Sequence, residues 1–265
     1  MKPKVLSVAK FGETMNEDAV VARPGLLAVS DGAGGGGLFA DEWSKYLVSM
    51  LPDNPLTSFC ELDGWLDCIW ESFYSTCEQK ARLISPMHLS KFYNEGSFAT
   101  LAAVWFTDSG VCRWMAYGDS VVFCYNRHSG LLQHSFTRLA DFNRAPYLVS
   151  CKDPLNEKGF SSGLFDTDEE CILFVTSDAL AHYIIMMYEV SRRDEYADEI
   201  REVLSCQTKC SNYVQAALAL PHYDFGRTVV DKLLRCRTSL NLRAHLQSRY
   251  SHGLLALDDY SIAMR

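Results

Sequence analysis

The chain of 265 residues carries 25 Lys and Arg against 33 Asp and Glu, giving a formal net charge of -8, and 48% of its residues are hydrophobic. A chain of this length and composition buries enough apolar surface to hold a core without disulfides or oligomerisation. The acidic balance excludes a broad basic surface of the kind that binds nucleic acid or an anionic membrane. We therefore expect a folded protein whose partners include neither nucleic acid nor membrane.

Runs of apolar, β-branched and aromatic residues bounded by turn-forming residues predict a series of short strands. In chain order, the predicted strands lie at residues 5–8, 20–21, 26–29, 111–117, 171–175, 254–257 and 260–264. Continuous apolar runs of this length are typical of sheets that are buried on at least one face.

Apolar residues repeat at three- and four-residue spacing over residues 39–50 and 65–84, which predicts two amphipathic helices after the third strand. The apolar side of the second helix is predicted to contain Trp65, Ile69, Phe73, Thr76 and Ile84. A long helical region follows from Asp178 to about residue 250, interrupted near Pro221 and Gly226. This order of elements predicts an α+β architecture in which helices cover the outer faces of packed sheets.

The N-terminus and the cysteines indicate a cytoplasmic protein. Residues 1–10 are basic but lack the apolar stretch of a signal peptide, and no transmembrane segment follows. The 10 cysteines contain no Cys-x-x-Cys pair and mostly have apolar neighbours, which predicts buried thiols. Cys206 and Cys210 lie one helical turn apart, but a metal site there lacks the second pair of His or Cys ligands that it would need.

Acidic residues recur where predicted strands end. They are Asp31, Asp119, Asp178 and the pair Asp258–Asp259, and a further acidic motif, Asn16-Glu17-Asp18, lies between the first two strands. Any one of these acids alone is commonly a turn residue, because Asp and Asn side chains cap backbone groups. If the strand ends meet at one edge of the sheets, however, five or more carboxylates share a small volume and raise one another's pKa. A cation would relieve this repulsion, and oxygen-only ligands favour Mg²⁺ or Mn²⁺ over zinc.

Two other patterns allow different interpretations. The glycine run after Asp31 contains Gly32, Gly34 and Gly37 at the G-x-G-x-x-G spacing of a dinucleotide-binding turn, but Asp31 would repel a pyrophosphate at its mouth. The stretch from Arg227 to Arg249 is rich in Lys and Arg, which is typical of a solvated helix face. A docking face there for an acidic phosphoprotein or for nucleic acid is the alternative.

Six short motifs carry a resemblance to a known family. They are Asn16-Glu17-Asp18, Val29-Ser30-Asp31-Gly32, Gly96-Ser97-Phe98-Ala99-Thr100, Gly118-Asp119-Ser120, Thr176-Ser177-Asp178 and Asp258-Asp259-Tyr260-Ser261. In this order and spacing, they resemble the motifs of the metal-dependent protein serine/threonine phosphatases of type 2C. The resemblance extends over nearly the whole chain, from Asn16 to Met264.

The resemblance implies a four-layer αββα sandwich, in which two packed, mainly antiparallel sheets are flanked by helices. It also implies a single phosphatase type 2C-like domain over residues 1–265, with a helical elaboration at about 179–250. In such a fold, two divalent metal ions lie in a cleft at one end of the paired sheets. The implied cofactor is therefore Mg²⁺ or Mn²⁺, with two ions bound and a third, weaker one in some members.

Site residues follow from the resemblance motif by motif. Asp31 would bridge both metal ions, and Glu17 with the carbonyl of Gly32 would serve one of them. Asp178 and Asp258 would hold the other. The remaining two acids are Asp18, which would belong to the metal site, orient metal-bound water and share the catalytic role with Asp31, and Asp119, which with Asp178 matches the third metal position.

The implied activity is hydrolysis of phosphoserine and phosphothreonine in proteins by a metal-activated water, without a covalent enzyme intermediate. The implied partners are a phosphorylated protein substrate and a serine/threonine kinase that acts against the phosphatase. The alternative is a catalytically weak or inactive module of the same fold that binds a phosphoprotein or a kinase partner.

The sequence departs from the family pattern at the position that binds the substrate phosphate. Many members have an Arg four residues before the Glu of the first motif, whereas Glu13 stands there in this chain. Lys10 or Arg23 would be a substitute cation. Further departures are Ala33 in place of a His, Val121 in place of an Arg and Ala179 in place of a Gly.

Overall fold

The computed structural model describes residues 3–35, 37–106 and 110–265, so Gly36 of the glycine run lies outside the described residues. The strands in chain order are β1 (Lys4–Val8), β2 (Ala19–Arg23), β3 (Leu26–Ser30), β4 (Phe98–Ala99), β5 (Leu101–Phe106), β6 (Val111–Tyr117), β7 (Val121–Asn126), β8 (Leu132–His134), β9 (Val149–Ser150), β10 (Phe160–Asp166), β11 (Cys171–Thr176) and β12 (Tyr260–Met264). The α-helices are α1 (Ala40–Met50), α2 (Phe59–Ile84), α3 (Pro86–Glu95), α4 (Asp178–Ser191), α5 (Ala197–Ser205), α6 (Lys209–Leu218), α7 (Asp231–Arg235) and α8 (Ser239–Ser251).

Two antiparallel five-stranded sheets form the centre of the fold. The first sheet has the strand order β1-β12-β11-β7-β8, and the second has the order β10-β6-β5-β3-β2. A short pair, β4 and β9, lies beside them. The N-terminal and C-terminal strands are neighbours in the first sheet, which brings the first and last motifs together.

Side chains alternate between two environments along the central strands, as the period of two in a β-strand requires. In β3, Leu26 and Ala28 pack in the cluster formed with α1, α2 and α3, whereas Leu27 and Val29 pack between the two sheets. In β11, Phe174 packs in the cluster formed with α4 to α8. The layers are therefore helices, sheet, sheet and helices, which confirms the predicted α+β sandwich of two antiparallel sheets flanked by helices.

The structure corrects the predicted strand at residues 254–257. This segment is an irregular connection, and Leu254 and Leu255 are buried in the cluster under the second helical layer. An apolar run predicts burial but cannot say whether a sheet or a helix covers it. As a consequence, Asp258 and Asp259 come before a strand, β12, and do not follow one.

The predicted apolar side of α2 is also partly wrong. Thr76 and Ile84 are exposed, and the buried residues of the helix are Leu62, Leu66, Ile69, Phe73, Cys77 and Ala81. Ser58 caps this helix through a reciprocal capping box with Glu61, which fixes where it begins. Its buried side is therefore rotated slightly from the predicted one.

Burial of the cysteines is divided, which corrects the prediction that they are buried. All ten are free thiols; Cys77, Cys112, Cys124, Cys151 and Cys236 are buried, and Cys60, Cys68 and Cys206 are exposed. The helical region after Asp178 is confirmed as five α-helices with a π-helical turn at Gly226–Val230. None of the helices in the described part of the chain combines the length and apolar character of a membrane-spanning segment.

Candidate metal centre

The registers of both sheets bring the acidic motifs to one end of the sandwich. In the second sheet, Ala19 of β2 pairs with Ser30 of β3, so the residue before β2 and the residue after β3 are neighbours. The start of β5 and the end of β6 lie at the same end, because Leu101 pairs with Tyr117. In the first sheet, the ends of β11 and of β12 that carry acids lie there too. The acidic residues gathered in this way are Glu17, Asp18, Asp31, Asp119, Asp178, Asp258 and Asp259.

The carboxyl groups of this cluster are hard to ionise together. Burial raises the pKa of Asp18 and of Asp119 to about 8, and it raises the pKa of Asp178 to about 6. Burial also holds the pKa of Asp31 well above its usual range, and the negative charges of Asp18, Asp178, Asp119 and Asp258 add to the effect. Asp258 itself lies at the exposed rim, and desolvation still raises its pKa. The centre is therefore a pocket of negative charge that favours protons or cations.

A network of hydrogen bonds fixes the backbone of Asp18. The amide of Asp18 donates to Asn16 Oδ1 (2.8 Å), and Asn16 Nδ2 donates to Ser7 Oγ (2.7 Å). Ser7 Oγ shares a hydrogen bond with Ser261 Oγ (2.8 Å), and the Ser261 amide donates to Ser177 Oγ (3.0 Å). The network therefore links the first motif to the last two motifs.

The carboxylate of Asp18 makes none of these hydrogen bonds. Its residue is 5% exposed, and neither carboxylate oxygen has a hydrogen-bond partner among the described residues. The hydroxyls of Ser177 and Ser261 lie near enough to lower its pKa without making a hydrogen bond to it. A buried carboxylate with unpaired oxygens is available to a ligand.

A second network holds the strand ends around Asp31. Ser30 Oγ donates to the carbonyl of Thr100 (2.6 Å), and the Thr100 amide donates to the Asp31 carbonyl (2.8 Å). The hydroxyl of Thr100 accepts from the Asp31 amide (3.3 Å) and shares a hydrogen bond with Ser120 Oγ (2.7 Å). Thr100, from the motif at Gly96–Thr100, therefore positions Asp31 relative to the turn that carries Asp119.

Asp259 has a structural role that the sequence does not reveal. One carboxylate oxygen accepts from the Lys10 amide (2.7 Å), and the other accepts from the Glu17 amide (2.7 Å). The loop between β1 and β2 is thus fixed at two points to the segment that carries Asp258.

The glycine run encloses Glu17. The Gly34 amide donates to Glu17 Oε2 (3.2 Å), and a Cβ on Gly34 would lie 2.0 Å from Glu17 Oε1. A Cβ on Gly32 would lie 2.6 Å from the Glu17 carbonyl and 2.8 Å from the Ala40 carbonyl. Glycine is therefore required here for close packing against an acid, and the Gly34 amide already serves a carboxylate where a dinucleotide-binding turn would offer it to a pyrophosphate.

We expect Gly32→Ala to lower the free energy of unfolding by about 1 to 3 kcal/mol, because the added methyl group meets two backbone carbonyls that cannot move aside. Gly35→Ala is the matched control, since a Cβ at that exposed glycine meets nothing within 4 Å. Urea denaturation of both variants measures the difference. Equal stability of the two variants would contradict the packing of Gly32 described above.

The donor set of the cluster fits a hard divalent cation. It consists of carboxylate and carbonyl oxygens, and it includes the unpaired buried oxygens of Asp18. In the described part of the chain, no three His, Cys, Asp or Glu side chains form a group arranged to hold a metal ion. The carboxyl groups thus lie close enough to raise one another's pKa without forming a ready coordination shell.

The structure separates the two cations that the sequence offers as a substitute for the missing Arg. Arg23 lies at the opposite end of β2, where it donates to the Leu51 carbonyl and faces Asp53 at 3.7 Å. Lys10 lies at the cluster, because its amide donates to Asp259, the residue after Asp258. Arg23 is therefore excluded as a substitute.

No protein-family model and no curated protein sequence matches this chain. Among solved structures, the Mycobacterium tuberculosis serine/threonine phosphatase PstP/Ppp matches with a TM-score of 0.55 and 14% identity, over 99% of this chain and 97% of that chain. PppA, a key regulatory component of T6SS in Pseudomonas aeruginosa, matches with a TM-score of 0.54 and 15% identity, over 100% and 96%. The catalytic domain of PstP in complex with two manganese ions matches with a TM-score of 0.54 and 15% identity, over 99% and 96%.

The chain has the fold of serine/threonine phosphatases. At these identities, the similarity concerns the fold alone, and it extends over nearly the whole of both chains. The resemblance predicted from six short motifs is thereby confirmed for the architecture.

Several residues support the acids through hydrogen bonds, although nothing in the sequence assigns them this role. They are Ser7, Asn16 as a hydrogen-bonding residue, Thr100, Ser120, Ser261 and Asp259. Their common signal is a small polar residue beside each acid in the motifs. That signal is weak, because such residues are frequent in turns for local reasons.

Proposed function

We propose that this protein is a Mg²⁺- or Mn²⁺-dependent phosphatase that hydrolyses phosphoserine and phosphothreonine in proteins. The observation that carries the proposal is the gathering of acids from five separate segments at one end of a serine/threonine phosphatase fold, with raised carboxyl pKa values. Folding such a cluster costs stability unless cations or protons compensate the charge. A purely structural role does not explain why so many carboxyl groups are kept there.

The chain's own oxygens would hold the cations. Asp31 has the most central position, because four other carboxylates contribute to its raised pKa, and it would serve two ions. Glu17 and the carbonyl of Gly32 would complete one site, and Asp178 with Asp258 would complete the other. Asp119, with Asp178, would contribute to a third, weaker site. Bound Mg²⁺ or Mn²⁺ would neutralise the phosphoryl oxygens and lower the pKa of a water molecule toward neutrality.

Asp18 has the geometry of a residue that orients the attacking water. Its backbone is fixed by Asn16, whereas neither of its buried carboxylate oxygens has a hydrogen-bond partner in the part of the chain that the structure describes. A carboxylate in this state accepts hydrogen bonds from water and can hold a proton. No protein nucleophile is required, since water attacks phosphorus directly in this proposal.

The substrate would be a phosphorylated protein, and a serine/threonine kinase would supply it. Support comes from the solved structures of the same fold, which include two serine/threonine phosphatases and the regulatory component PppA. Mn²⁺ is supported by the PstP catalytic domain, whose structure contains two manganese ions.

The direct test is hydrolysis of p-nitrophenyl phosphate and of a phosphothreonine peptide by the wild-type protein with Mn²⁺, with Mg²⁺ and with a chelator. We expect phosphate release with at least one of the two metals and none in the chelator. Absence of hydrolysis with both metals, or hydrolysis that persists in the chelator, would reject the proposal.

A second candidate is a weakly active or inactive module that binds a phosphoprotein or kinase partner. The observation in its favour is Glu13, an exposed carboxylate whose negative charge reaches Asp258 at the rim of the cluster. A carboxylate there repels phosphate. Binding of a phosphothreonine peptide by the Mn²⁺-loaded protein without turnover would support this second function over the first.

A further inference from the structure

The loop between β1 and β2 presents a lysine at the rim of the carboxyl cluster. The Lys10 amide is fixed by Asp259 (2.7 Å), and the Lys10 carbonyl accepts from the Glu13 amide (2.9 Å). The backbone of Lys10 is therefore held at both of its polar groups, within one residue of the segment that carries Asp258.

The backbone of Lys10 lies within one residue of Asp258, because Asp259, which accepts from the Lys10 amide, is the next residue along the chain. The ammonium group of Lys10 has no ion pair or hydrogen bond among the described residues, and the residue is partly exposed. Lys4, at the start of β1, behaves differently, because its Nζ donates to the carbonyls of Leu234 (2.7 Å) and Cys236 (2.9 Å). The donors of Lys4 are thus used by the fold, whereas those of Lys10 are available to a ligand.

The residue after Lys10, Phe11, fixes the loop to two other elements. The Phe11 ring lies 5.6 Å from the Tyr250 ring and 5.4 Å from the Tyr260 ring. The guanidinium of Arg243 lies over the Phe11 ring, 5.7 Å from its centroid. These contacts anchor the loop that carries Lys10 to α8 and β12.

We propose that Lys10 binds the phosphate group of the substrate at the rim of the cluster. This inference rests on the proposed function and deepens it, since it names the residue that replaces the missing arginine. A lysine offers three donors on a compact charge but no planar fork, so phosphate is held less rigidly than by an arginine. Glu13, three residues further along the same loop, weakens the attraction and would make the affinity for phosphate modest.

The test is calorimetric titration of inorganic phosphate into the Mn²⁺-loaded protein, because phosphate is the product and is not turned over. We expect Lys10→Ala to weaken phosphate binding roughly 10- to 100-fold, the effect of losing a hydrogen bond between charged groups. Lys10→Arg should retain most of the affinity, and Glu13→Gln should increase it a few-fold, roughly as the loss of one rim charge would. The matched control is Lys232→Ala, which removes an exposed lysine on α7, beside the Arg127–Asp231 ion pair.

A second measurement separates phosphate binding from a simpler role of Lys10 as a counter-ion of Asp258. Mn²⁺ affinity is measured by titration in the absence of phosphate for the wild type, Lys10→Ala and Lys10→Gln. If Lys10 binds phosphate, Mn²⁺ affinity stays the same or rises while phosphate affinity falls. Unchanged phosphate affinity in both variants, or a loss of phosphate binding that a loss of Mn²⁺ fully explains, would overturn the inference.

The outcomes also separate this inference from the proposed function. Wild-type protein that binds phosphate through Lys10 but hydrolyses neither test substrate would reject the phosphatase activity and retain the Lys10 site. If the wild type and Lys10→Ala hydrolyse the phosphothreonine peptide with the same KM, the phosphatase activity is retained and the Lys10 site is rejected. Mn²⁺-loaded wild type that binds no phosphate would overturn the Lys10 site.

Discussion

Asp31→Asn is expected to lower the Mn²⁺-dependent rate of hydrolysis on the order of 100- to 1000-fold or more, the loss seen when a central electrostatic group of a catalytic site is removed. The reason is that Asp31 is the residue on which the other acids converge. Asparagine has nearly the same shape, and it keeps the backbone hydrogen bonds between Asp31 and Thr100. The measurement is kcat for p-nitrophenyl phosphate and for a phosphothreonine peptide.

The matched control for this substitution is Asp67→Asn, which neutralises an exposed acid on α2 in the outer helical layer. It should leave kcat unchanged. Wild-type activity in Asp31→Asn would show that hydrolysis, if present, does not depend on the acidic cluster. Circular dichroism of the Asn variant confirms that the fold is retained.

In the presence of a chelator, the melting temperature is expected to fall as the pH rises from about 6.5 to 8. A carboxyl group whose pKa is raised in the folded state keeps its proton there, while the same group in the unfolded chain has already lost it. The folded protein therefore binds more protons than the unfolded protein, and its stability decreases with pH through the folded-state pKa. For Asp18 and Asp119, that pKa is about 8. Each retained proton contributes about 1.4 kcal/mol per pH unit, or about 2 to 4 °C.

Buried histidines give the opposite slope at lower pH, which sets the window for this measurement. Burial lowers the pKa of His182 and of His245 to about 4, so protonation of the unfolded chain below its ordinary histidine pKa destabilises the fold. Above about pH 6.5, this contribution fades as the unfolded histidines lose their protons, and the raised carboxyl pKa values dominate. Glu189, buried in α4 with a pKa raised to about 8, adds the same slope in this window. The difference between the wild type and Asp18→Asn in differential scanning calorimetry between pH 6.5 and 8 is therefore the part that belongs to the acidic cluster.

Addition of Mn²⁺ should raise the melting temperature at pH 8 and flatten its dependence on pH, because the ions replace the retained protons. Asp18→Asn should flatten the curve in the chelator without any metal, since it removes one of the retained protons. A melting temperature that rises between pH 6.5 and 8 in the chelator would contradict the electrostatic description of the centre. A melting temperature that does not change when Mn²⁺ is added would also contradict it.

The acidic motifs show how much of the candidate site can be predicted from local sequence. The sequence places Asp31, Asp119 and Asp178 directly after predicted strands, and the structure confirms all three strands. Asp258 was predicted from its motif, although residues 254–257 before it form an irregular connection and not the predicted strand. A wrong prediction of the preceding strand does not affect the prediction of Asp258, because a short motif is recognised from its own residues.

Supporting contacts depend on sequence separations that no local pattern encodes. Ser7 and Ser261 meet across 254 residues, and Lys10 and Asp259 meet across 249 residues. These pairs exist because β1 and β12 are neighbours in one sheet, with Val8 opposite Tyr260. Only the strand order could have predicted them.

By itself, the sequence determined the α+β class, half of the strands, most of the helices, and which acids belong to a common centre, because strand periodicity, turn chemistry and short motifs are local properties. Only the tertiary structure decided which face of α2 is buried, which thiols are exposed, and that Arg23 is remote while Lys10 is held by Asp259. These outcomes depend on sheet register and on packing between layers, which join residues far apart in the chain. Charge at the centre is likewise a tertiary property, since each acid is an ordinary turn residue until the strands bring the others within reach.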